Sequence, residues 1–136
     1  MTIFGAIGIA STGLTVHRKW LDAVSDNLAN VNTVRATDEE AFKQKYVIAQ
    51  EMVAGPGEMS SGVQVAGILE GSGEGRMVYE PDHPLADEQG YVRYPDIDMS
   101  SQMTQLIMAQ RGYQANAAVV DRAKETYQAA LQIGRN

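Results

Sequence analysis

The 136-residue chain has no cysteine, so neither disulfides nor thiolate metal centres hold its fold, and an oxidising compartment leaves it chemically untouched. That suits an exported protein. Positive charge is scarce as well: 11 lysines and arginines face 17 acidic residues, for a formal net charge of −6. The basic residues are scattered, and no patch can neutralise a phosphate backbone, so nucleic acid is not expected as a partner. No apolar run approaches the roughly 20 residues needed to span a bilayer, so direct membrane insertion is not expected. His17, Arg18, Lys19 and Asp22 interrupt the N-terminal region where a cleavable secretory signal would need an unbroken apolar stretch. A chain of this composition leaves the cytoplasm, if it does, by a route that cleaves no such signal.

Histidine is nearly absent too. Only His17 and His83 could serve a nucleophile as base, and neither stands in a triad context. Asp82, His83, Asp87 and Glu88 offer oxygen and imidazole donors, but their spacing fits no metal motif, and acidic residues around Pro84 and Gly90 are what a solvated turn contains. The glycines of 71–75 lead into a strand-like run instead of a helix, so they read as a linker and not as a phosphate cradle. No catalytic residue, no metal and no cofactor is expected, and the chain reads as a non-enzyme.

What the sequence does contain is helical periodicity at both ends. Ile7, Leu14, Leu21 and Leu28 recur every seven residues, with Ile3, Ala10, Val24 and Val31 between them. His17 breaks the second series, and Gly5, Gly8 and Gly13 weaken the helix unless it packs against something. In the C-terminal part Met99, Leu106, Tyr113, Val120 and Tyr127 share the same spacing, followed four residues later by Met103, Ala117 and Leu131; Gln110 and Lys124 interrupt, and Ile107 widens the face. Asp98 has the position and chemistry of an N-cap.

Between these ends the period falls to two, as in Phe42, Gln44, Tyr46 and Ile48, with β-branched runs at Val63–Val65 and Met77–Tyr79. Gly55-Pro56-Gly57, the 71–75 glycines and Asp82-His83-Pro84 supply turns. The expected architecture is mainly α with a small antiparallel β insert. Segments 1–34 and 97–136 form one discontinuous helical unit whose helices pair as a coiled coil, and 35–96 forms the insert.

Three stretches carry a specific resemblance. Ile9-Ala10-Ser11-Thr12-Gly13-Leu14, the run from Ser25 to Thr33 with its Asn27, Asn30 and Asn32, and Arg111-Gly112-Tyr113-Gln114-Ala115-Asn116 together resemble the terminal motifs of flagellar rod and hook axial proteins. The segment from Asp82 to Asp96 is similar to one that marks a proximal-rod member of that family. The resemblance implies a structural subunit of the periplasm-crossing drive shaft, with the bacterial flagellum's basal body as its location. Its partners would be further copies of itself, other rod subunits, hook–basal-body proteins and the type III export apparatus, with paired terminal helices polymerising. It points to Ile7, Leu14, Leu21, Val24, Leu28, Asn30, Asn32, Met103, Leu106, Tyr113, Asn116, Val120 and Tyr127 as the assembly interface. On chemistry alone the asparagine run marks a helix stop, a reading that coexists with hydrogen bonds to neighbouring subunits. The alternatives are another rod subunit, or a secreted adaptor that docks on the export apparatus without entering the rod.

Overall fold

The computed structural model describes residues 2–53, 55 and 61–135, so the proposed turn at Pro56-Gly57 lies outside the described residues. Its elements run α1 (Ile3–Ala29), β1 (Lys45–Glu51), β2 (Val63–Glu70), β3 (Arg76–Tyr79), β4 (Tyr91–Tyr94) and α2 (Met99–Ile133). The helix–insert–helix order read from the sequence is the observed one.

Each helix begins where its capping chemistry places it. The Thr2 hydroxyl accepts the Gly5 N–H at 3.1 Å and the Asp98 carboxylate accepts the Ser101 N–H at 3.1 Å. Asn30 closes α1, its side chain donating to the Asp26 carbonyl at 2.9 Å and accepting from the Thr33 hydroxyl at 3.1 Å. At 27 and 35 residues the helices measure about 40 and 52 Å at 1.5 Å per residue. They pack antiparallel: Phe4 meets Tyr127 edge to face at 5.5 Å between centroids, and Asn27 meets Gln102 near the other end.

The insert is two separate two-stranded antiparallel sheets, β1–β2 and β3–β4. In the first, Ile48 pairs Gly67 and Ala49 pairs Val65, leaving Ala66 as a bulge. That extra residue shifts side-chain parity, so that Ile68 on one side of the bulge and Val63 on the other both turn toward α1 with Val47 and Ala49. Helix α1 therefore lies between α2 and the β1–β2 hairpin. Two hydrogen bonds tie the hairpin to it, from the Val63 N–H to the Thr12 hydroxyl (3.1 Å) and from the Lys45 N–H to Asn27 Oδ1 (2.8 Å).

The second sheet sits where α1 ends. Arg35 and Arg93 exchange backbone hydrogen bonds of 2.9 Å, and Ala41, Val92, Pro95 and Ile97 are buried there. Arg93 fastens this corner, its guanidinium donating to the carbonyls of Thr37 and Glu74, each at 2.6 Å. The turn between β3 and β4 uses its own polar groups. Asp87 Oδ1 accepts the N–H groups of Gln89 and Tyr91 at 2.9 Å, and His83 Nδ1 accepts that of Leu85 at 3.1 Å. Both side chains are thus engaged in turn geometry, and among the described residues no three His, Asp or Glu side chains are grouped as a metal site. None of the described helices is long and apolar enough to cross a membrane.

Candidate functional site

The helix pair carries the candidate residues, and of the two N-terminal apolar series it buries Ala10, Val24 and Val31 while leaving the leucine series to the side. On α1 the buried positions are Ala10, Gly13, Val16, Ala23, Val24 and Asn27, while Ile7, Leu14, Leu21 and Leu28 are only half-buried. On α2 the fully buried residues are Gln102 and Ala109, with Asn116 and Ala123 half-buried at the same seven-residue spacing. Leu106 and Val120 of the expected series are half-buried beside them. The contact is therefore made largely by small and polar residues, and the leucines flank it.

The reason lies in close approach. A Cβ at Gly13 would lie 2.6 Å from Asn116 Oδ1, and one at Gly112 would lie 2.6 Å from His17 Nε2. Each helix thus offers a glycine gap that a polar side chain of the other fills. His17 is braced by Trp20, with ring centroids 6.0 Å apart and planes 26° from parallel, and Trp20 Nε1 donates to Gln105 Oε1 at 3.4 Å. Asn116 Nδ2 donates to the Gly112 carbonyl at 2.9 Å.

Asn27 has a role the sequence reading did not assign. It is 1% exposed; its amide donates to the Lys45 carbonyl (2.9 Å) and to Gln102 Oε1 (3.0 Å) while its oxygen accepts the Lys45 N–H (2.8 Å). One side chain joins α1, α2 and β1. Beside it Lys45 pairs with Asp26, and that hydrogen bond, followed by the charge attraction, holds the Lys45 ammonium above the usual lysine range. The helix-stop reading holds for Asn30, whereas Asn32 is exposed just beyond the helix.

The remaining candidates lie outside the seam. Met103 (46% exposed), Tyr113 and Tyr127 are open to solvent, as are Met99, Ile107 and Met108. Met99, Met103 and Ile107 follow one another at four-residue spacing and form one stripe along α2. With Tyr127 only Phe4 makes a ring contact among the described residues. Of the thirteen sequence-derived positions, the structure draws Val24, Leu106, Asn116 and Val120 toward the helix pair and leaves the leucine series and Met103 along its flanks.

The comparisons with known proteins converge on one family. Residues 7–37 match the family "Flagella basal body rod protein", and residues 88–133 match "Flagellar basal body rod FlgEFG protein C-terminal". The chain is 35% identical over 135 residues to the flagellar basal-body rod protein FlgC of Salmonella typhimurium, covering 99% of this chain and 100% of that one. It is 32% identical over 149 residues to FlgC of Borreliella burgdorferi, with 98% of each chain covered, and 31% identical over 150 residues to FlgC of Bacillus subtilis, with 99% and 100% covered.

Proposed function

The chain belongs to the FlgC family of flagellar basal-body rod proteins, and from that premise we propose that it polymerises through the flanks of its helix pair into the proximal part of the rod. It is a rod structural subunit and not an enzyme. In this reading the discontinuous helical unit, 1–34 with 97–136, is the polymerising part and 35–96 is carried on it. The partners are its own copies, other rod subunits and neighbouring hook–basal-body proteins. The chain reaches the periplasmic space through the flagellar type III export apparatus.

The observation that carries the proposal is the half-exposed apolar ridge. Ile7, Leu14, Leu21 and Leu28 run along a helix whose intramolecular contacts are already made by smaller residues. Apolar area left in water along that length is a driving force for association. Ile7, Leu14, Leu21 and Leu28 on α1, and Met103, Tyr113 and Tyr127 on α2, are the positions assigned to subunit contacts. Val24, Leu106, Asn116 and Val120 set the shape of the pair, and Asn30 and Asn32 the end of α1 that neighbours meet.

Leu21→Asp tests this directly. The side chain is half-exposed in the single chain, so a carboxylate there stays hydrated, whereas in a packed subunit interface it is buried unpaired at a cost of several kcal/mol. Cells carrying the substitution are expected to be non-motile and to yield basal bodies without a complete rod, while the purified variant keeps its helical circular dichroism. Normal swimming would show that the ridge is not an assembly surface.

A further inference from the structure

The apolar repeats of the two helices cannot by themselves say how far along each other the helices sit. Ile7, Leu14, Leu21 and Leu28 on α1 and Leu106, Tyr113, Val120 and Tyr127 on α2 both repeat every seven residues. Sliding one helix by seven residues, about 10 Å, returns each apolar series to an equivalent position relative to the other helix's repeat. Repeats of this kind leave register open unless something other than apolar character breaks the degeneracy.

Two polar side chains break it here. We propose that His17 seated against Gly112, and Asn116 seated against Gly13, form a reciprocal interlock that sets the register of the helix pair. The four residues are two i, i+4 pairs, 13 and 17 on α1, 112 and 116 on α2, which meet in antiparallel order, glycine to side chain and side chain to glycine. Both side chains are held from behind, Asn116 by its hydrogen bond to the Gly112 carbonyl and His17 by its stack on Trp20. Neither is free to swing aside for an intruding Cβ.

A slip of seven residues destroys both fits. In one direction His17 comes opposite Val119 and Asn116 opposite Trp20; in the other they come opposite Gln105 and Ala6. No glycine receives either side chain. The interlock also accounts for a feature that stability alone does not. Glycine in a helix interior is unfavourable by roughly 0.5 to 1 kcal/mol relative to alanine, and His17 Nδ1 is buried without a hydrogen-bond partner. These costs secure a defined position along the axis. Gly8 provides the contrast, since nothing lies within 4 Å of a Cβ placed there.

The register determines which parts of α2 extend past α1, but the proposal concerns the single chain and its test does not depend on polymerisation. The chain lacks cysteine, so the full-length protein carrying Ser11→Cys and Ala118→Cys, both at exposed positions, can be spin-labelled at those two sites alone. Electron–electron distance measurement on dilute protein is expected to give one narrow distance. Replacing Gly13, His17, Gly112 and Asn116 together by alanine should keep or raise helicity while adding a population displaced by about 10 Å along the axis. In parallel, Gly112→Ala should lower the melting midpoint, His17→Ala added to it should restore most of the loss, and Gly8→Ala should raise the midpoint. A single unchanged distance in the fourfold variant would mean that other contacts, the Asn27–Gln102 and Trp20–Gln105 hydrogen bonds or the insert, fix the register, and a broad distance in the unsubstituted protein would mean that nothing does. Either result overturns the proposal, as does failure of His17→Ala to rescue Gly112→Ala.

Discussion

Asn27→Ala removes the one side chain that touches three elements, and its cost can be worked out bond by bond. Three hydrogen bonds disappear, two to the backbone of Lys45 and one to Gln102. At a net 0.5 to 1.5 kcal/mol each they sum to about 3 kcal/mol. Gln102 is 1% exposed, so its orphaned oxygen adds about 1 to 3 kcal/mol unless the amide relaxes or water enters. Against this, alanine favours the helix interior by roughly 0.5 kcal/mol over asparagine. The net expectation is a loss of about 3 to 5 kcal/mol, large against the 5 to 15 kcal/mol that holds a domain of ordinary size.

Asn27→Asp separates the contributions. The carboxylate keeps the acceptor for the Lys45 N–H but loses the donor to the Lys45 carbonyl and to Gln102 Oε1. Gln102 can adapt, because its Nε2 is buried with no partner and a rotation of the amide would offer that nitrogen to the introduced carboxylate. The Lys45 carbonyl cannot. Urea denaturation of the full chain, followed by helical circular dichroism, measures both variants. A loss below about 0.5 kcal/mol for Asn27→Ala, the range of an ordinary surface change, would refute the claim that this side chain pins α1, α2 and β1 together.

Three further outcomes follow from the same geometry. The Tyr91 N–H, with those of Gln89 and Gly90 and a hydrogen bond from Thr37, holds the Asp87 carboxyl below the usual carboxylate range despite partial desolvation. Its stabilisation is therefore present above the unfolded carboxylate value and lost as pH falls through the lowered folded value, so Asp87→Asn should flatten the acid dependence of Gln89 and Tyr91 amide shifts in NMR. Arg93→Lys cannot reach Thr37 and Glu74 at once as the guanidinium does, and should lower stability by about 1 to 2 kcal/mol in thermal melts. Ala109 is 0% exposed; Ala109→Leu overpacks the seam at about 1 to 3 kcal/mol, visible as a lower urea midpoint.

Much of the fold was legible because its signals are local. Asp98 caps α2 with a short side chain just before a periodic run, and the Ala10, Val24 and Val31 series of α1 is buried as its spacing implies. The seam of α2 was not legible from apolar periodicity, because Gln102, Ala109, Asn116 and Ala123 are small or polar and are buried by proximity instead of by hydrophobicity. Their seven-residue spacing, together with glycines at 13 and 112, was the available clue. β4 was missed for a different reason: Tyr91-Val92-Arg93-Tyr94 is short, and its stability comes from partners distant in sequence, β3 and the Arg35 bridge. The dual use of Asn27 had no sequence signal, since an asparagine near a helix end reads as a stop whichever way its side chain points.

The small-residue seam also explains why one helix pair can be both a folded unit and an unfinished surface. Had the leucines met each other across the seam, the pair would have buried its largest apolar side chains and left little to bring subunits together. Closing the pair instead through Ala10, Gly13 and Ala109 brings the helices close together and turns the bulkier Ile7, Leu14, Leu21 and Leu28 to the sides. Fold and association then draw on different residues of the same helices. A change in the seam is felt first in the single chain, as with Ala109→Leu, whereas a change on the ridge, as with Leu21→Asp, leaves the chain folded and is felt where a second subunit must cover it.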